Sequence, residues 1–129
     1  TTAGLRDQVV KLVREASRGL GYEPRVLFDG PVDSVTSERG TAALVATLRE
    51  ALSNVARHAQ ATKVDVELIA ERDLRLRVVD DGIGPPGPDS VMGDGLRNMA
   101  VRADELGGSM DLTPGAGKGC VLEWRIPRA

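Results

Sequence analysis

Apolar residues recur every three to four positions in three stretches of the chain, and each stretch predicts an amphipathic helix. The first helix begins at Leu5 and stops near a pair of glycines. The second covers residues 41–59. The third follows Asp94, which we expect to be its N-cap, and ends at the glycines 107–108. The positions expected to face the core are Leu5, Val9, Leu12, Val13, Ala16, Leu20, Leu44, Leu48, Leu52, Val55, Leu96, Met99, Ala103 and Leu106.

Strict alternation of apolar and polar residues marks the strands. Residues 63–69 and 74–80 alternate across a short polar turn, which predicts an antiparallel hairpin. A second hairpin is predicted from residues 109–113 and 120–126, and residues 24–29 form a short strand candidate. In the last of the predicted strands, alternate side chains share one face, which we expect to be buried: Cys120, Leu122, Trp124 and Ile126.

The segments between these elements are loops. Residues 31–40 are polar and irregular, and residues 82–95 contain three prolines and five glycines, so neither is expected to form regular structure. Polar residues line one face of the first hairpin, so water is expected on that side of the sheet and helices on the other. The predicted fold is an α/β two-layer sandwich, with a mixed, mostly antiparallel sheet of about five strands and helices on one face.

Composition narrows the class of protein. The 129 residues suit one domain over residues 1–129, and with 2% aromatic residues the core should be aliphatic. A net charge of −2 with mixed signs argues against a nucleic-acid or membrane surface as the main partner. One cysteine and one histidine exclude an internal disulfide and a Cys/His metal cluster, which suits the cytoplasm. Because the chain starts at Thr1 without methionine, we expect a piece excised from a longer protein.

Asp80 stands out in this pattern. It follows Leu74, Leu76 and Val78 at a spacing of two, so it belongs to the core-facing row of its strand. An unpaired buried carboxylate is costly, and it therefore needs a hydrogen-bond donor from the protein or from a ligand.

The glycines after Asp80 match a dinucleotide-binding fingerprint in sequence spacing but not in the structure that the fingerprint requires. Residues 82–87 have the spacing G-x-G-x-x-G after a strand, but the fingerprint requires helix amides at its last glycine. Pro85 and Pro86 have no amide hydrogens, and Pro86 forces Pro85 out of helical geometry. The preceding strand also belongs to a hairpin. We therefore reject a Rossmann site.

A polar stripe lies on the second predicted helix. Glu50, Asn54 and Arg57 follow each other at i, i+4 and i+7. Taken alone, such a stripe is more often a solvated face. In a functional site, Asn54 would offer a hard oxygen to Mg²⁺, Glu50 would orient or deprotonate a group, and Arg57 would compensate phosphate charge.

Four segments taken in order resemble the GHKL ATPases. They are Glu50-x-x-x-Asn54-x-x-Arg57-His58, Asp80-Asp81-Gly82-Ile83-Gly84, Gly93-Asp94-Gly95-Leu96 and Gly117-Lys118-Gly119. Within that superfamily, the sequences of these segments are similar to those of sensor histidine kinases that pair with NarL-type response regulators. Among these kinases they resemble the actinobacterial dormancy sensor kinases of the DosS/DosT type. The resemblance covers about residues 40–127.

The resemblance implies a Mg·ATP site between sheet and helices, beneath a short lid. Asp80 would accept a hydrogen bond from the adenine amino group, Asn54 would bind Mg²⁺, and Glu50 would be the catalytic polarising or general-base residue. Amides of Gly93 and Gly95 would form an anion site at a helix start. The full set of implied ATP-binding residues is Asn54, Arg57, Asp80, Gly82, Gly84, Gly93, Gly95, Leu96 and Gly119.

The implied function is donation of the ATP γ-phosphate to a histidine on a separate dimerisation domain, and from there to a NarL-type response regulator.

This chain departs from the family in having Cys120 where threonine is common and Asp94 near the phosphates. His58 lies within the second-helix motif, so we expect a packing role for it rather than phosphate acceptance. The alternatives are another GHKL protein, such as an anti-sigma serine kinase or an ATPase, and a non-catalytic nucleotide-sensing module.

Overall fold

A computed structural model of the protein describes residues 4–85 and 93–129. The described residues form three α-helices, one π-helix and five strands. In chain order these are α1 (Leu5–Leu20), β1 (Arg25–Asp29), α2 (Glu38–Asn54), the π-helix (Val55–Ala59), β2 (Val64–Ala70), β3 (Asp73–Asp80), α3 (Gly93–Glu105), β4 (Ser109–Pro114) and β5 (Cys120–Pro127).

The five strands form one mixed sheet in the order β1-β2-β3-β5-β4. β1 pairs with β2 in parallel, and the other three pairs are antiparallel. Both predicted hairpins are present, and their inner strands β3 and β5 pair with each other, which places β3 at the centre of the sheet. This arrangement confirms the predicted mixed sheet with helices packed on it.

The core lies between the helices and one face of the sheet. Every second residue of β2, β3 and β5 is buried, and the residues between them are half-buried on the opposite face, except for the exposed Pro127 at the end of β5. Trp124 is completely buried, and its Nε1–H donates to the carbonyl oxygen of Met99 at 2.9 Å, which fixes α3 against β5. The rest of the core is aliphatic apart from Met99, as the composition predicts.

The second helix differs from its prediction at both ends. It begins at Glu38, three residues earlier than expected, because the Ser37 hydroxyl caps it by accepting from the Gly40 amide at 3.0 Å. The predicted loop is therefore shorter, and it is not wholly polar in its packing, since Val32 and Val35 are buried. At its other end the α-helix stops at Asn54, and the π-helix replaces the last predicted turn.

The third helix also starts earlier than predicted. It begins at Gly93, so Asp94 lies in the first turn and not at the N-cap. At its other end the Gly108 amide donates to the Ala103 carbonyl at 2.8 Å, with Gly107 at φ +79° between them.

The lid expected before this helix falls on residues 86–92, outside the described residues. Within the described residues, no helix is long and apolar enough to cross a membrane.

Candidate functional site

Asp80 is buried at the end of β3, with 8% of its surface exposed. Its Oδ1 accepts a hydrogen bond from the Gly82 amide at 2.9 Å. Burial raises the pKa of Asp80, the Gly82 bond opposes that shift, and the neighbouring Asp81 charge adds to it. The protein therefore supplies one donor, but within the described part of the chain none reaches Oδ2.

Two glycines let the backbone close around Asp80. A Cβ on Gly82 would collide with the carbonyl oxygen of Ala59, and one on Gly119 would collide with the carbonyl oxygen of Asp80 itself. The Ile83 amide donates to the Ala59 carbonyl at 2.9 Å. The loop after β3 is thus held against the end of the π-helix by backbone contacts that leave no room for side chains.

Gly84 and Cys120 complete this end of the site. Gly84 adopts φ +100°, and a Cβ there would lie 3.7 Å from the carbonyl oxygen of Gly119. Cys120 stands directly opposite Asp80 in the β3–β5 register and is buried. Burial raises the pKa of the Cys120 thiol to about 11, and the charge of Asp80 adds to the shift. A thiol with this pKa is protonated at neutral pH, so Cys120 is an uncharged neighbour of Asp80.

Asp81 has a structural role that the sequence did not indicate. Its Oδ1 accepts from the amides of Thr62 and Lys63 at 2.8 and 2.9 Å, and its Oδ2 from the Thr62 hydroxyl at 2.7 Å. These bonds lower the pKa of Asp81 to about 2, with the Thr62 hydroxyl as the largest cause. Asp81 therefore ties the chain after β3 to the chain before β2, and its carboxylate is occupied by the protein.

The polar stripe of α2 meets the start of α3. Arg57 Nη2 lies 3.4 Å from Asn54 Oδ1. A Cβ on Gly95 would lie 3.6 Å from Asn54 Nδ2 and 3.8 Å from the Glu50 carboxyl carbon. The structure thus brings Glu50, Asn54, Arg57 and Gly95 together at a second location. Gly93 begins the same helix, and Leu96 is half-buried one residue after Gly95.

Asn54 is incompletely satisfied by the protein. Its Nδ2 is buried and has no hydrogen-bond partner within the described residues. A buried amide donor without a partner is costly, and an acceptor brought by a ligand would relieve that cost. The orphaned donor is thus an observation in favour of an anionic ligand beside Asn54.

The donor set also bears on a metal ion. No group of three or more His, Cys, Asp or Glu residues that could hold a metal is found within residues 4–85 and 93–129. Among the described side chains, the oxygens beside Gly95 belong to Asn54 and Glu50. Mg²⁺ at nucleotide sites typically takes one or two protein oxygens and completes its shell with phosphates and water. Asn54 and Glu50 therefore fit a magnesium ion shared with a bound phosphate.

Arg102 is a site residue that the sequence analysis missed. Its Nη1 lies 3.4 Å from Glu50 Oε2, and both side chains are about two-thirds buried. The available signal was its position, because Arg102 follows Gly95 by seven residues and so lies on the same face of α3.

The π-helix connects the two locations. Asn54 precedes it directly, and Ala59, whose carbonyl receives the Ile83 amide, is its last residue. Gln60 follows in the left-handed conformation with φ +53°, which ends the helix. His58 lies half-buried within it. One helical segment therefore joins the loop beside the buried Asp80 carboxylate to the cluster of Glu50, Asn54 and Arg57.

Comparison with known proteins gives consistent results. Residues 40–129 match the family described as histidine kinase-, DNA gyrase B-, and HSP90-like ATPase. The chain is similar to the sensor histidine kinase LiaS of Bacillus subtilis, with 43% identity over 83 residues, which make up 62% of this chain and 23% of LiaS. It is 38% identical over 81 residues to the sensor protein VraS of Staphylococcus saprophyticus, covering 61% of this chain and 23% of VraS. The chain thus spans about a quarter of these relatives.

Solved structures show the same fold. The histidine kinase AdeS of Acinetobacter baumannii superposes with a TM-score of 0.75 at 15% identity, over 96% of this chain and 64% of that one. The ATP binding domain of PrrB from Mycobacterium tuberculosis superposes with a TM-score of 0.73 at 22% identity, over 98% of this chain and 96% of that one. At these identities the likeness establishes the fold.

Proposed function

Because the chain belongs to the histidine kinase-, DNA gyrase B- and HSP90-like ATPase family, we propose that it is the ATP-binding catalytic domain of a sensor histidine kinase. The observation that carries the proposal is Asp80. Its buried carboxylate is half satisfied by the protein, and glycines on two sides admit only backbone around it. A buried acceptor in this state calls for a ligand that offers a hydrogen-bond donor.

The proposal assigns Asp80 to the base of the nucleotide. The Gly82 amide holds Oδ1, and Oδ2 would accept a hydrogen bond from the exocyclic amino group of adenine. A site whose buried acceptor needs a donor discriminates strongly against a base that lacks one. Gly84 and Gly119, which lie close together, allow the backbone to approach the ring.

The cluster on α2 and α3 is assigned to the phosphates. Asn54 would hold Mg²⁺, which would neutralise phosphate charge, and Arg57 would contribute a further positive charge. Amides at the start of α3, at Gly93 and Gly95, would bind phosphate oxygens through unpaired N–H groups and the helix dipole. Glu50 is the proposed catalytic residue, which polarises or deprotonates the acceptor.

The partners follow from the proposed chemistry. A histidine kinase needs a phosphoacceptor histidine, and we propose that a dimerisation domain elsewhere in the same kinase provides it, with residues 1–129 as one catalytic domain. The phosphate would then pass to a response regulator, which we propose to be of the NarL type from the sequence likeness to kinases with such partners, including the actinobacterial dormancy sensors. We place the domain in the cytoplasm, without direct contact to nucleic acid or membrane.

Titration with ATP tests the site. We expect wild-type protein to bind ATP, and Asp80→Asn to weaken binding by about tenfold or more, since the amide presents a donor where an acceptor is required. Asn54→Ala should weaken binding more in the presence of Mg²⁺ than in its absence, because both the metal contact and the Nδ2 contact are lost. Asp104→Asn, an exposed aspartate of α3, is the control and should bind as wild type. Unchanged ATP affinity in Asp80→Asn would contradict the assignment.

A second experiment separates kinase from nucleotide sensor. The domain is joined to a dimerisation domain that carries the phosphoacceptor histidine, and acid-labile phosphohistidine is measured after addition of Mg·ATP. A kinase forms it, and Glu50→Gln reduces its rate of formation. ATP binding without any phosphohistidine would favour the non-catalytic sensing module, and phosphoserine on an added protein would favour the anti-sigma type of kinase.

A further inference from the structure

Glu50 is contacted by one cation within the described residues, and that cation comes from another helix. Arg102 of α3 approaches Glu50 of α2 with Nη1 3.4 Å from Oε2. The two residues are 52 positions apart in sequence. The pair therefore depends on how α3 packs against α2 and is not a local contact within one helix.

The same face of α3 carries the residue that borders Asn54. Gly95, Met99 and Arg102 follow at i, i+4 and i+7, so they form one stripe along the helix. Gly95 lies against Asn54 and Glu50, Met99 is completely buried, and Arg102 reaches Glu50. Since the Met99 carbonyl also receives the Trp124 indole N–H, this stripe is anchored to the sheet in the middle. Arg102 thus extends from a fixed position.

The charges indicate what the pair does. Glu50 lies beside the place proposed for a triphosphate, and two like charges in a partly buried site repel each other. Arg57, a further arginine near the cluster, contacts Asn54, and no contact with Glu50 is found among the described residues. Arg102 is therefore the group placed to hold the Glu50 carboxylate in one orientation and to offset its charge beside a nucleotide.

We propose that Arg102 is a positioning residue for phosphoryl transfer, which holds the Glu50 carboxylate in the orientation that the reaction requires and fixes the start of α3 against Asn54. The inference rests on the proposed function and adds to it a residue outside the sequence motifs. Because Arg102 acts through Glu50, its loss should lower the rate of transfer more than the affinity for ATP.

The test uses the domain joined to a dimerisation domain with its phosphoacceptor histidine. Arg102→Ala is expected to reduce the rate of histidine phosphorylation at saturating Mg·ATP by about tenfold or more, as a misplaced catalytic group does, while KM for ATP changes by less than about threefold. Arg102→Lys, which keeps the charge, is expected to recover most of the rate. In a Glu50→Gln background, Arg102→Ala should cause little further loss, because the two residues act as one unit.

Arg77 provides a matched control. It also lies 3.4 Å from a glutamate, Glu67, with side-chain exposures of 33% and 24%, against 30% and 27% for Arg102 and Glu50. Arg77 belongs to β3, on the face of the sheet away from the helices. Arg77 also lies 3.7 Å from Glu123, so Arg77→Ala should lose at least as much ion pairing as Arg102→Ala and still keep the wild-type rate of phosphorylation.

The outcomes distinguish the inference from the function on which it rests. If wild type and Arg77→Ala phosphorylate histidine and Arg102→Ala does so at the same rate, the inference is wrong and the kinase assignment stands. An equal loss of rate in Arg77→Ala, or a full further loss in the Glu50→Gln background, would also overturn it. If wild type binds no ATP, the proposed function itself fails.

Discussion

Asp80 and Asp81 are adjacent in sequence and opposite in environment. Burial raises the pKa of Asp80, whereas hydrogen bonds from Thr62 and Lys63 lower that of Asp81 to about 2. The ionised form of Asp80 therefore opposes folding in the absence of ligand, and the ionised form of Asp81 favours it. Asp80 thus stays buried with one donor from the described residues, while Asp81 holds the loop after β3 in place.

Replacement of Asp81 by asparagine should make stability less dependent on pH. The folded-state pKa of Asp81, about 2, lies below its ordinary value of 3.8, so its stabilising contribution is present above about pH 4 and is lost as the pH falls towards 2. We expect Asp81→Asn to be less stable than wild type at pH 7, with a difference that narrows between pH 4 and pH 2. Urea unfolding across this range measures it.

The control for this experiment is Asp104→Asn, which changes an exposed aspartate in α3. It should follow the wild-type pH dependence. A constant difference between Asp81→Asn and wild type down to pH 2 would show that the Thr62 and Lys63 contacts do not depend on the charge of Asp81.

At the scale of elements, the second hairpin meets the candidate site through its backbone. Gly119, which precedes β5, packs against the carbonyl of Asp80 with φ +83°, while Gly117 in the same turn has φ +90° and nothing within 4 Å of an added Cβ. Gly117 is thus needed for its backbone conformation alone, whereas Gly119 is needed also because a side chain would collide with Asp80.

The two glycines offer a matched pair of substitutions. Gly117→Ala should cost about 1–2 kcal/mol, the strain of a left-handed alanine. Gly119→Ala should cost about 2 kcal/mol more, because the hairpin must also move away from Asp80. Urea unfolding measures both, and ATP affinity should fall only in Gly119→Ala. Equal losses of stability in the two variants would mean that the β3–β5 junction accommodates a methyl group.

The sequence predicted the elements better than their ends. Alternation fixed both hairpins, and apolar spacing located three helices, because these patterns depend on which residues must be buried. Ser37 as a cap and the π-helix after Asn54 were missed, since the helical pattern does not distinguish the hydrogen-bond spacing within a turn. Arg102 was missed because its partner is 52 residues away, and only packing brings the two together.

The roles of the site residues remain at the level of prediction. The motif resemblance named residues that the structure gathers at two ends of one helical segment, Asp80 with Gly82, and Asn54 with Glu50. It could not indicate that the Asp81 carboxylate already accepts a hydrogen bond from the Thr62 hydroxyl, because the two aspartates look equivalent in the motif. Such a distinction depends on the strand register, which places Thr62 beside the end of β3.

In the whole molecule, the two ends of the site are connected through α2, the π-helix and the loop after β3. These parts touch through the Ile83 amide and the Ala59 carbonyl, and α3 touches α2 through Gly95 and Arg102. A ligand that spans both ends therefore contacts segments that are distant in sequence, and it should restrain them together.

Amide hydrogen exchange can detect this joint restraint. We expect ATP with Mg²⁺ to slow exchange at residues 82–84 and at residues 95–99 in parallel, because a ligand that binds the folded state opposes local opening by up to about 2.7 kcal/mol at a concentration of 100 Kd. Strand β1, separated from β3 by β2, serves as the internal reference and should not change. Slower exchange at only one of the two segments would contradict a ligand that spans them.

The π-helix has a consequence for how this site can vary among proteins. Its turn uses one residue more than an α-helical turn, and each residue of an α-helix advances by about 100°. Removing one residue from Val55–Ala59 would therefore rotate the Ala59 carbonyl away from the Ile83 amide, while substitutions that keep the length would leave that contact in place. This contact joins two backbone groups, so it depends on how many residues separate Asn54 from Ala59 and not on which side chains they carry. Alanine scanning would not detect it, whereas a single-codon deletion would.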